Sequence, residues 1–96
     1  MHARITTVHL QSDKIAEATA MYQNGIVPVI TAQRGFKGAY LFTDPSGLGQ
    51  SITLWDSEAD GQAYEASGAY REQVAKVATF FNAPPSLATY DVAVKA

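Results

Sequence analysis

Polar and apolar residues are interleaved from Ala3 to Leu10 (ARITTVHL), a run rich in β-branched side chains that stops at Gln11-Ser12-Asp13. This pattern predicts a first strand followed by a helix start, with Asp13 as the N-cap. From there Ile15, Ala18, Tyr22, Ile26 and Val29 or Ile30 recur at spacings of three and four, one apolar stripe along a helix reaching about Ala32. Asn24-Gly25 and Pro28 interrupt that stripe. Because both flanks keep the helical period, the sequence predicts a kinked helix there and not a hairpin turn.

Gly35 closes the helix, and two extended runs follow, Phe36 to Thr43 and Gln50 to Trp55, separated by the turn-forming Asp44-Pro45-Ser46-Gly47-Leu48-Gly49. Ser57 and Asp60 form a capping box that opens a second helix. Ala59, Ala63 and Ala66 share one side of it as far as Gly68, a break or bend. Tyr70, Val74, Val77 and Phe81 resume the apolar stripe, Asn82-Ala83-Pro84-Pro85 stops it, and Leu87 to Val94 alternates as a last strand. The order is β-α-β-β-α-β. It predicts an α+β, ferredoxin-like domain with a four-stranded antiparallel sheet over residues 1–96, its two helices covering one face.

The hairpin decides what the other face carries. Pairing Leu41 with Ile52 and Ala39 with Leu54 collects the aliphatic residues on one face, suited to the helices, and leaves Tyr40, Phe42, Thr53 and Trp55 on the other. An aromatic face with no element left to cover it predicts an isologous homodimer through those four residues, and hence a dimeric α/β barrel.

Composition narrows the setting. The 96 residues are 47% hydrophobic and 17% charged, enough for one core. Without cysteine there is no disulfide framework or thiolate metal site, and a cytoplasmic location is expected. No stretch has the length and apolarity of a membrane span, and the N-terminus shows no targeting pattern. A net charge of −2, with dispersed lysines and arginines, argues against nucleic acid as a partner.

Familiar catalytic signatures are missing: no phosphate-binding loop, no nucleophile elbow, no H-E-x-x-H. With only His2 and His9, a three-histidine metal site within one chain is impossible, and no metal is expected. His9 is the candidate catalytic base, since its ordinary chemistry suits proton transfer near neutral pH; a half-exposed histidine at a strand end is the favoured reading. Trp55, Tyr64, Tyr70 and Tyr22 could line an aromatic ligand pocket, or simply pack the core and interface. Asp56, Glu58, Asp60 and Glu65 gather near the start of the second helix, where negative charge is favoured, and Glu72 with Lys76 reads as an i,i+4 pair.

From Ser51 to Val77 the chain resembles the antibiotic-biosynthesis monooxygenase family of dimeric α/β barrels. The resemblance lies in Leu54-Trp55 ending the third strand, Ser57-Glu58 opening the helix, Tyr64, the break at Ser67-Gly68, and Tyr70-Arg71-Glu72. Gly35-Phe36 is similar to the family's Pro-Gly-Phe segment, with Arg34 in place of proline. Members include cofactor-independent oxygenases of aromatic polyketides, haem-degrading enzymes and proteins with no assigned reaction. The haem-degrading branch carries a tryptophan at Tyr64 and an iron-binding histidine at Val74. Its first-strand asparagine is also absent, Thr6 and Thr7 being the nearest polar residues. The resemblance therefore implies a homodimeric, cofactor-independent monooxygenase-like protein, not a haem degrader, that binds a planar aromatic or quinone-like metabolite. The alternative is a non-catalytic binding or accessory protein of the same fold.

Overall fold

The computed structural model describes residues 1–96. Strand β1 (His2–His9) leads into α1 (Ile15–Met21), a π-helical turn (Tyr22–Ile26) and α2 (Val27–Ile30). The hairpin β2 (Phe36–Thr43) and β3 (Leu48–Trp55) follows, then α3 (Glu58–Ala66), α4 (Ala69–Val77), a 3₁₀ turn (Ala78–Phe80) and β4 (Ser86–Asp91). The sheet order is β2-β3-β1-β4 with every neighbouring pair antiparallel, so the split β-α-β topology is formed and the helices share one face.

The first helix is continuous but irregular. Pro28 has no N–H for the carbonyl of Asn24, and the chain absorbs the mismatch by widening into the π turn just before it. Ala18, Ile26 and Ile30 form its buried stripe, with Tyr22 half-buried. Asp13 does not cap this helix: Lys14 occupies the cap position and no side chain bonds to the open N–H groups. Ser57 does cap α3, its Oγ accepting from the backbone N–H of Asp60 at 3.2 Å.

Gly68, at φ 87°, separates α3 from α4 in a left-handed conformation that favours glycine. Ala59, Ala63 and Ala66 face solvent, because α3 turns Gly61 and Tyr64 to the sheet instead. A Cβ at Gly61 would lie 3.1 Å from Arg4 Cδ, so the missing side chain lets the helix sit low on β1. The Glu72–Lys76 pair does not form. Lys76 Nζ donates to Gln73 Oε1 at 2.7 Å and to the Gly25 carbonyl at 2.8 Å, across to the π turn.

The hairpin register differs by one residue from the expected one. Tyr40 lies opposite Ile52, Leu41 opposite Ser51 and Ala39 opposite Thr53, with an irregularity at Lys37 that places Phe36 opposite Trp55. On β2 the expected facing holds: Ala39 and Leu41 point inward, Tyr40 and Phe42 outward. On β3 it is inverted. Thr53 and Trp55 lie under the helices, Trp55 with none of its surface exposed, and Ile52 and Leu54 join Tyr40 and Phe42 outside. The physical reason is hydrogen bonding: the inward hydroxyls are satisfied, Thr53 Oγ1 accepting from Trp55 Nε1 at 3.0 Å and Ser51 Oγ pairing with Tyr22 Oη at 2.9 Å.

Candidate functional site: a tyrosine-lined cavity

Two buried clusters pack between sheet and helices, Ile26, Ile30, Trp55 and Tyr64 toward one end, Val8, Leu10 and Ala18 toward the other. They do not close on each other. The gap is a cavity bounded below by β1 and β3 and above by the π turn and α4; Val74, Val77 and Phe81 complete its apolar wall. The cavity volume is about 70 Å³, and its mouth opens to solvent. That is below the roughly 300–1,000 Å³ usual for small-molecule sites, so a bound ligand extends into the mouth or displaces wall side chains.

Its polar groups are few and definite. Tyr70 Oη pairs with Thr6 Oγ1 at 2.8 Å, and Tyr22 Oη with Ser51 Oγ, so each phenol is tied to a strand hydroxyl. Gln73 is buried, with its Nε2 donating to the Ala69 carbonyl at 3.0 Å and its Oε1 taken by Lys76. Tyr64 also lines the cavity, and its hydroxyl, unlike the other two, has no hydrogen-bond partner in the chain. Burial pushes the Tyr64 phenol well above its ordinary range, helped by Tyr22 and Tyr70 and opposed by Arg4. Burial likewise raises Tyr22, against the bond from Ser51. Tyr22 and Tyr64 therefore present neutral O–H groups at physiological pH, and Tyr64 has one to give.

Of the expected pocket residues, the cavity brings together Tyr22, Tyr64 and Tyr70. Trp55 lies one layer beneath, stacked on Tyr64 with ring centroids 5.0 Å apart, and backs the wall without lining it. His9 is not in the cavity at all. It follows Ala3, Ile5 and Thr7 in the alternation of β1, so it lies exposed on the outer face of the sheet, opposite Leu48. Tyr40 and Phe42 are exposed on that outer face, whereas Thr53 and Trp55, expected beside them, are on the inner one. Thr6, Ser51 and Gln73 are the site residues that the sequence reading missed. The trace of Thr6 is the polar residue at every second position of β1, His2, Arg4 and Thr6, which a strand with a purely apolar inner face would not carry; Ser51 and Gln73 left none.

The antibiotic biosynthesis monooxygenase family model matches residues 1–76. The chain belongs to that family. Solved structures of similar shape agree with the fold. A putative antibiotic biosynthesis monooxygenase from Caulobacter crescentus superposes with a TM-score of 0.78 at 17% identity, over 98% of this chain and 90% of that one. A Mycobacterium tuberculosis haem degrader, solved with two haems in its active site, gives 0.80 at 16% identity over 100% and 99%. A second M. tuberculosis protein gives 0.76 at 18% identity over 99% and 97%. No curated protein sequence matches the chain.

The iron-binding histidine of the haem-degrading branch is absent from the cavity of this member of the antibiotic biosynthesis monooxygenase family. Where the resemblance puts an iron-binding histidine, Val74 presents a side chain with no lone pair to the cavity. Neither histidine can replace it: His9 is on the far face of the sheet, and His2 Nδ1 is turned to Asp91, 3.5 Å away at the outer strand β4.

Proposed function

We propose that this protein is a homodimeric, monooxygenase-like binder of a small planar aromatic or quinone-like metabolite, held in the cavity between sheet and helices. The unpartnered Tyr64 hydroxyl in an otherwise apolar, tyrosine-walled cavity carries this reading. A flat apolar ligand enters such a space from its open mouth as the wall side chains give way, and a carbonyl oxygen on it accepts the free O–H. In an oxidation the ligand, once ionised and electron-rich, would itself reduce oxygen, and the cavity would supply position and donors.

A second, non-catalytic reading has its own support. The only ionisable side chains lining the cavity are tyrosines, so no proton acceptor for neutral pH stands ready there. Catalysis is then limited to ligands that ionise in water unaided. Both readings are tested with the purified protein. 1,4-Naphthoquinone, followed by quenching of the sole tryptophan, Trp55, should bind saturably, and a Val74→Phe variant that fills the cavity should not bind it. The absence of cysteine removes thiol addition as a confounding reaction. Oxygen uptake with 1,4-naphthohydroquinone above the protein-free rate selects the enzyme; binding without it selects the accessory protein.

A further inference from the structure

Arg4 is the one charged side chain in the molecule that is almost wholly buried, with 3% of the residue exposed on the inner face of β1. Its guanidinium carbon lies 5.0 Å from the centroid of the Tyr70 ring, and its Nη2 lies 3.3 Å from Glu65 Oε2. That ion pair lacks hydrogen-bond geometry: Nε and Nη2 are both buried without a hydrogen-bond partner. A guanidinium is a fork of N–H donors, and leaving charged donors unmade in the interior is costly, more so than for neutral ones. Glu65 supplies charge but not the two parallel bonds that a well-placed carboxylate makes with that fork.

The groups flanking the guanidinium also line an opening. A cleft between the α3–α4 break and β4 is bordered by Glu65, Gly68, Tyr70, Arg71, Val74 and Leu87. Tyr70 and Val74 belong to the cavity wall as well, so cleft and cavity are neighbours across those two side chains. No helix covers the inner face of β4 here; Thr89, paired with Arg4, is exposed. Glu65 sits at the end of α3 with 45% of its side chain exposed and is free to turn into water.

We propose that Arg4 receives a carboxylate on the ligand, which displaces Glu65 and makes the fork contact, so that the favoured ligands are aromatic acids whose ring lies in the cavity. This rests on the ligand-binding reading above and narrows it. The test is calorimetric titration of the full chain at pH 7 with 2-naphthoate and with its uncharged isostere 2-naphthamide. The acid is expected to bind about tenfold more tightly than the amide. Glu65→Gln removes the competing carboxylate and should tighten the acid about fivefold further while leaving the amide unchanged. Glu17→Gln makes the same charge change on α1, away from the cleft, and should alter neither. Arg4→Met should erase the preference for the acid. Because that substitution is buried and also tests the stability of the fold, Glu65→Gln at a half-exposed site carries the decision. Equal binding of acid and amide, with no response to Glu65→Gln, would overturn the role of Arg4 and leave the cavity standing. Failure of both probes to bind would overturn the cavity reading and this inference with it.

Discussion

Tyr22, Tyr64 and Tyr70 meet in one apolar space, and what separates them is the partner each hydroxyl has. Tyr64 has none, so Tyr64→Phe should leave stability at pH 7 within about 0.5 kcal/mol of the parent and weaken 1,4-naphthoquinone binding about tenfold. The pH dependence has a definite sign. Folding raises the Tyr64 phenol above its ordinary value of 10.0. Below that pH both folded and unfolded chains hold the proton and its contribution is constant; above it the unfolded chain ionises while the folded one does not, and stability falls. Denaturation midpoints measured from pH 8 to 11 should therefore drop less steeply in Tyr64→Phe than in the parent, with the raised Tyr22 leaving a residual slope in both. At this scale the sequence exposed the aromatic residues but not their partners. Thr6 and Ser51 are ordinary strand residues until the register brings them beneath a phenol. His9 drew notice by its chemistry alone, while its odd position beside Val8 already put it on the opposite face from Thr6.

The elements were legible where a local signal dominated and misread where the signal lay in pairing. Proline at position 28 and the small pair at 24 and 25 announced a distorted helix, and the Ser57 cap and the left-handed Gly68 appeared where composition placed them. Hairpin register is not local. Matching aliphatic with aliphatic put Ile52 under the helices, but the inner face accepts hydroxyls because tyrosine and tryptophan satisfy them there, and Lys37 adds an irregularity that no period-two count includes. The same logic of satisfied polar groups holds the π turn. Lys76 clasps the Gly25 carbonyl from α4 while held by Gln73, joining the two helical segments over the cavity. Lys76→Met keeps the apolar stem and removes both bonds. It should cost about 1–2 kcal/mol, and hydrogen exchange should speed up over Tyr22–Ile30 while the β1–β3 ladder keeps its protection.

For the molecule as a whole, the inverted facing of β3 changes the argument for a dimer and strengthens it. The outer sheet face is aliphatic as well as aromatic: Tyr40 and Phe42 from β2, Ile52 and Leu54 from β3, Ile5 from the centre and Tyr90 from β4. Tyr40, Phe42 and Tyr90 are each more than half exposed, and no element of the chain lies over them. A small domain rarely leaves a contiguous apolar patch of several hundred Å² open to water, and a second copy offers the same face in return. In an isologous pair each residue near the axis meets its own symmetry mate, so one substitution acts twice. Sedimentation at micromolar concentration should give twice the chain mass of 10.3 kDa, with a melting temperature that rises with protein concentration. Ile52→Glu, near the middle of the patch, should convert it to monomer by setting like charges against each other in a desolvated interface, whereas His9→Gln at the end of β1 should not. A wild-type protein sedimenting at 10.3 kDa throughout, or an Ile52→Glu variant that keeps the doubled mass, would remove the outer face from consideration as an interface and require another account of why Ile52, Leu54, Tyr40 and Phe42 are collected there.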